Sequence, residues 1–230
     1  MPAVFRKLIT TLSRHYGEPK LPPARGPFEL VLWENACYLL SDDRRAAAFE
    51  ALRQQVGLDP EAIWNAPDDV LFPLARLGGM RPDVRVMRWR HIARLTLDRY
   101  GGNLGQILQR PPAEASRALR QYPNIGGPGA EKILLFCGAL TELPLEWNGL
   151  RVLTRIGYGK TQKSHGATYR SVQEHLQAEL PLDVEYMPKA HLLLREHGKT
   201  LCREKRPQCH ACPAARFCAH AMAEAARAAK

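Results

Sequence analysis

Four of the six cysteines of this 230-residue chain, Cys202, Cys209, Cys212 and Cys218, fall within seventeen residues at the spacing C-x6-C-x2-C-x5-C. Thiolates gathered in this way can close disulfides, hold a zinc ion, or bind a [4Fe-4S] cube that takes one cysteine on each iron. Structural zinc usually draws on two short C-x2-C pairs, and here only Cys209 and Cys212 form one. Four thiolates from one compact loop suit the cube best, so they are predicted as ligands of a [4Fe-4S] cluster. Arg203, Lys205, Arg206, His210 and Arg216 stand among them. A rigid basic loop would offer preset contacts to phosphate, which position a protein on DNA without reading its sequence. Arg203, Lys205 and Arg206 are the candidate contacts.

A second stretch, PNIGGPGAEKILLF at 123–136, runs from a glycine-rich turn into an apolar helix. The first N–H groups of a helix have no intrahelical partner and can bind a phosphate oxygen. Asn124, Ile125, Gly126, Gly127, Gly129 and Lys132 are therefore candidate DNA-binding residues. Pro128 suits an early helical position because its missing N–H would have had no partner there. Asn124 tolerates a positive φ better than most residues, which the turn needs.

A third stretch, PFELVLWENACYLL, is apolar nearly all round, and Glu34 lies within it. A carboxylate desolvated inside a buried helix would have its pKa raised and could serve as a general acid near neutral pH. The alternative is a glutamate at the helix edge or paired with arginine. Asp42 and Asp43 read as helix-face charges beside Arg44 and Arg45. Cys37 and Cys137 read as small buried hydrophobes, and His191 and His197 as packed histidines.

The elements that must carry these groups are helical almost throughout. Leu30, Val31, Trp33, Cys37 and Tyr38 recur at helical spacing, as do Phe49, Leu52 and Val56, and no strand-like alternation persists. Glycine and proline cut the pattern into roughly ten helices of about three turns each, an all-α class. Lys and Arg exceed Asp and Glu by 33 to 23, a formal charge of +10, which favours a polyanionic partner. The first residues carry scattered charges and no apolar export segment, and no apolar run could span a bilayer. A soluble cytoplasmic protein is expected, associated with the nucleoid if the source is prokaryotic.

A helix-hairpin-helix followed by this cysteine loop, in an all-helical basic chain, resembles the endonuclease III branch of the helix-hairpin-helix DNA glycosylases. The resemblance runs from about Pro27 to Cys218 and rests on PNIGGPGAEKIL, EWNGLRVLTRIGYG and HLLLREHGKTLC. It implies a two-lobed all-α fold. Residues 26–140 would form a helical barrel with the hairpin, residues 1–25 and 141–222 an iron-sulfur domain, and residues 223–230 a tail. It implies a monomer that acts on double-stranded DNA containing a damaged or mismatched base, with no membrane partner.

Members of the family that also cut the strand carry a hairpin lysine, and its ungapped position here is Pro128. Proline has no amine, so lysine-dependent strand cleavage is not expected. The family's aspartate, eighteen positions on, falls at Glu146, a carboxylate suited to support an oxocarbenium-like sugar. Asn148 is expected to cap the helix that follows. The adenine-excising relatives place a base-protonating glutamate where Glu34 stands. Trp33, Tyr38 and Trp147 are candidate walls for a flipped base. Met80 and Arg81 fall where the family inserts a wedge, Met80 as the wedge and Arg81 as a contact to the orphan base or a phosphate. The expected function is a monofunctional DNA glycosylase of base excision repair. The alternative is a catalytically weak or inactive member that only binds lesions or DNA structures.

Overall fold

A computed structural model describes residues 4–37, 40–140, 142–177, 179 and 186–228. Among them the regular structure is entirely helical. In chain order the helices are α1 (Val4–Tyr16), α2 (Gly26–Glu34), α3 (Asp42–Gln55), α4 (Pro60–Asn65), α5 (Asp68–Leu77) and α6 (Pro82–Tyr100). They continue with α7 (Pro112–Leu119), α8 (Gly127–Phe136), α9 (Trp147–Ile156), α10 (His165–Leu176), α11 (Tyr186–Thr200) and α12 (Ala219–Ala228). Short 3-10 turns lie at Leu104–Gln109, Cys209–Ala211 and Ala215–Phe217. The helices outnumber the expectation partly because Pro67 splits 60–77, holding Ala66 extended at φ −60°, ψ 135°.

The chain divides into two compact units, Pro22–Leu140 and Met1–Leu21 with Thr141–Lys230. In the first unit α2 is a core helix, with Phe28, Leu30, Val31, Leu32 and Trp33 all buried. An apolar surface all round leaves such a helix no solvent face. The long α6 packs against α4 and α5 and buries Trp89, Ile92, Ala93 and Thr96. Caps follow local chemistry: Ser41 accepts from the Arg44 N–H at the start of α3, and Asp59 accepts from the Ala62 N–H at 2.8 Å on α4. Asp42 and Asp43 occupy the first turn of α3, where the helix dipole favours negative charge.

In the second unit α9 packs against α11, and α1 packs against α11 as well. Close approach of α11 to the start of α9 depends on Gly198. A β-carbon there would stand 2.5 Å from the Asn148 Cβ and 2.8 Å from its carbonyl oxygen. Phe5, Leu8 and Leu12 of α1 are fully buried. Residues 223–228 continue α12 and are exposed. No helix among the described residues is long and apolar enough to cross a membrane.

Candidate functional site

The hairpin between α7 and α8 is built by a buried side chain. Asn35, only 3% exposed just past the end of α2, donates to the carbonyls of Val31 at 2.9 Å and Pro123 at 3.0 Å. Its own amide oxygen accepts from the Asn124 side chain at 3.1 Å. Asn124 adopts φ +59°, as expected of an asparagine in a left-handed turn. Sequence reasoning passed over Asn35, although a polar residue ending an apolar helix was a usable signal.

Beyond the turn, Gly126 leads into α8 with no side-chain cap, and Pro128 lies in the first turn. The first-turn N–H groups of Gly127 and Gly129 are left for an external acceptor. A β-carbon on Gly126 or Gly127 would meet nothing within 4 Å, so the approach is open. Ile125 is a correction. Its side chain is 5% exposed within the core, and its N–H donates to the Tyr122 carbonyl, so neither is free for a phosphate.

Glu34 is also corrected. It is the last residue of α2, not an interior one, and its carboxylate meets the Lys132 ammonium at 2.6 Å and Arg45 at 4.0 Å. Two cations face it, so burial alone does not define its chemistry. Lys132, a candidate phosphate contact, is committed to this pair. Trp33 is a third correction. It is 8% exposed, edge-on to Phe49 and covered by the Arg45 guanidinium, which makes it core and not a pocket wall. Tyr38 lies outside the described residues.

Met80 and Arg81 form the exposed tip between α5 and α6, with Met80 66% exposed. Arg81 takes φ +59° and pairs with Asp83. Beneath them lies Arg85, 4% exposed, which donates to the carbonyls of Ala75, Gly78, Gly79 and Met80 at 2.6 to 3.3 Å. Four carbonyls at the C-terminal end of α5 satisfy the buried cation without a carboxylate, aided by the negative end of the helix dipole. Burial nevertheless pulls the guanidinium below its ordinary pKa. Gly78 makes room for it: a β-carbon there would stand 2.1 Å from the Ala36 oxygen and 2.7 Å from Arg85 Nε. Nothing in the sequence distinguished Arg85 from the solvent-facing arginines around it.

In the other unit Glu146, not Asn148, caps α9. Its Oε1 accepts from the Gly149 N–H at 2.8 Å, while Oε2 accepts from Asn148 Nδ2 at 2.8 Å. Asn148 in turn accepts from Arg151 at 2.7 Å, and Arg151 donates to the carbonyls of Gly198 and Cys202. A continuous hydrogen-bonded chain thus joins the carboxylate to the first cysteine of the loop. Trp147 is 67% exposed, with its ring 3.9 Å from that of His165.

Cys202, Cys209, Cys212 and Cys218 line one small concavity with a volume of about 20 Å³. None of the four is in a disulfide. Arg155 braces the loop by donating to the carbonyls of Cys202, Arg203 and Glu204 and to Cys202 Sγ at 3.4 Å. The Cys218 thiol donates to the Arg155 carbonyl, and His197 Nε2 lies 3.6 Å from Cys212 Sγ. Burial holds the His197 ring well below its ordinary pKa, at about 4. As the described residues stand, no group of three or more His, Cys, Asp or Glu is arranged to hold a metal ion. Four cysteine thiols on one loop are a donor type that both a [4Fe-4S] cluster and zinc accept. Arg203, Lys205 and Arg206 are exposed on this loop, Arg206 at φ +58°. Arg151 and Arg155, which shape the loop, were not singled out from the sequence.

No family model matches the chain. It is similar to a thymine/uracil-DNA glycosylase of Pyrobaculum aerophilum, 24% identical over 218 residues, covering 92% of this chain and 88% of that protein. It is also similar to an endonuclease III of Sulfolobus acidocaldarius, 23% identical over 180 residues, with 77% and 75% covered. Among solved structures, a thermostable thymine-DNA glycosylase superposes with a TM-score of 0.72 at 15% identity, covering 95% of this chain and 97% of that one. Helix order, the uncapped hairpin and these full-length similarities agree: the chain has the fold of the helix-hairpin-helix DNA glycosylases and is similar in sequence to endonuclease III and to thymine-DNA glycosylases.

Proposed function

We propose that the protein is a monofunctional glycosylase that flips a mismatched thymine or uracil from duplex DNA and hydrolyses its N-glycosidic bond without cutting the strand. The observation that carries the reading is the state of the hairpin. Pro128 offers no amine, and the nearest one, on Lys132, is bound to Glu34 at 2.6 Å. A Schiff base needs a free amine beside the sugar, and neither residue supplies one.

Glu146 is the carboxylate assigned to the sugar. Two donors, Gly149 N–H and Asn148 Nδ2, hold it in place and leave part of its acceptor capacity for a water. As the bond between C1′ and the base nitrogen breaks, the electron pair leaves with the base and positive charge grows on the sugar. Glu146 stabilises that charge and takes the proton of the attacking water. A thymine or uracil leaves as an anion delocalised over its ring carbonyls and needs no ring protonation. That suits a Glu34 occupied by Lys132, and it reverses the preference for purines that an acidic Glu34 would have given. One relative, similar over 92% of the chain, is named for thymine and uracil.

In this reading the N–H groups of Gly126, Gly127 and Gly129 bind a phosphate, Met80 fills the space left by the flipped nucleotide, and Arg81 contacts the orphan base or its phosphate. Trp147, exposed beside Glu146, is the aromatic surface for the base. Arg203, Lys205 and Arg206 add phosphate contacts. Cys202, Cys209, Cys212 and Cys218 would hold a [4Fe-4S] cluster, which when bound supplies a rigid support for the basic loop. The test is a single-turnover assay on duplexes with thymine or uracil opposite guanine, worked up with and without hot alkali. Strand breaks that need alkali support the reading. Breaks without alkali overturn the monofunctional assignment, and intact strands across a wide lesion panel favour a protein that only binds.

A further inference from the structure

A second, open concavity of about 420 Å³ lies in the Pro22–Leu140 unit where the end of α6, the end of the 3-10 turn and α7 meet. Arg99, Arg110 and Arg117 line it, with Glu114 as the one carboxylate on its wall. The Arg110 guanidinium is held 5.7 Å above the Tyr100 ring, and Arg99 donates to the Gln121 side chain. No ion pair to any of the three arginines occurs among the described residues. Elsewhere in this unit Arg45, Arg53, Arg81, Arg90 and Arg94 each pair with a carboxylate. Three unpaired guanidiniums round one hollow repel one another, and an anion with several oxygens relieves that repulsion by accepting their forked donors.

We propose that this hollow is a phosphate-binding site distinct from the hairpin. Two sources could fill it, the backbone of the DNA and a free phosphate compound, and the DNA source rests on the function proposed above. Chain length favours DNA. Gln121 on the rim is five residues before Gly126, so the two are within about 18 Å even if the chain were fully extended. B-DNA places a phosphate every 3.4 Å of axis on each strand, roughly five in that span. A duplex docked on the hairpin N–H groups therefore brings phosphates within range of the three arginines. Their contribution is to affinity and register, since phosphate contacts carry no sequence information.

The test replaces Arg99, Arg110 and Arg117 together by glutamine, all three being exposed, and compares this variant with one carrying the same charge change at Arg14, Lys20 and Arg227. Affinity for an undamaged duplex is measured across salt concentrations, and pyrophosphate binding is measured by calorimetry. A slope of log K against log salt that flattens by about 2 to 3 units in the first variant, but not in the second, establishes the DNA source. Equal slopes together with pyrophosphate binding that the first variant loses establish a phosphate site filled from solution. Equal slopes in both variants and no pyrophosphate binding to the parent overturn the proposal. If the parent fails to bind DNA, the function proposed above fails, while the pyrophosphate arm still decides the site.

Discussion

The Lys132 ammonium and the Glu34 carboxylate meet at 2.6 Å across 98 residues of sequence, joining the first turns of α8 to the end of α2. With Asn35 gripping Pro123 and Asn124 one residue further on, the pair fastens the hairpin to the core helix at two adjacent points. In the monofunctional reading proposed above, it also keeps the hairpin's one amine from acting as a nucleophile. Lys132→Gln is therefore expected to leave alkali-dependent base release within about threefold of the parent, at a cost of about 1 to 2 kcal/mol in stability. Borohydride should trap no covalent DNA complex with either protein. Trapping by the parent that Lys132→Gln abolishes would show that Lys132 is the nucleophile after all.

Glu146 carries both the cap of α9 and the proposed chemistry, and two substitutions separate them. Glu146→Gln keeps an oxygen for the Gly149 N–H and should fold normally, while single-turnover base release falls at least about 100-fold with DNA affinity retained. Glu146→Ala should lose a further ~1 kcal/mol of stability because the cap is gone. Undiminished release by Glu146→Gln would remove the residue from the mechanism.

Arg85 predicts a local rather than a catalytic defect. Arg85→Met removes the guanidinium from four carbonyls between Ala75 and Met80, of which Ala75 keeps the Gly78 N–H, and should cost about 3 kcal/mol. Trypsin should then cut at Arg76 or Arg81 under conditions where the parent resists. A melting temperature unchanged from the parent would show that water replaces the guanidinium without loss.

The cysteine loop predicts iron. Protein purified anaerobically should carry about four irons per chain and absorb broadly in the visible, which zinc cannot do. Cys212→Ser should lower the iron content and weaken DNA binding, because Arg203, Lys205 and Arg206 would then lose their fixed support.

Alkaline stability follows from Tyr122. Burial raises its phenol to about 12, against an ordinary value near 10, while the hydroxyl bonds Thr96 at 2.9 Å. Above pH 10 the unfolded chain releases this proton and the folded chain holds it, so the unfolded state is favoured as pH rises. The stability is whole below pH 10 and is lost progressively between 10 and 12, by about 2 kcal/mol. Tyr122→Phe should flatten denaturant midpoints over that window. An identical pH dependence in the variant would assign the loss elsewhere, for example to Cys137, whose thiol burial also raises to about 12.

Much of this was open to a reading of residues in order. The all-helical class, the hairpin at 123–136, the positive φ of Asn124, the place of Pro128 in the first turn of α8 and the gathering of four cysteines each depend on local backbone chemistry or short spacing. Such features are set by neighbours a few residues apart, which a linear sequence displays. What escaped was decided by partners far along the chain. Whether Glu34 is a stranded acid or half of an ion pair depends on Lys132, and whether Arg85 faces solvent or four carbonyls depends on how α5 meets α6. Trp33 and Ile125 looked like contacts until packing enclosed them. The sequence alone determined which chemical groups and turns are available to this protein. Tertiary structure decided which of those groups are free to act, because burial and pairing are properties of the folded neighbourhood and not of the residue.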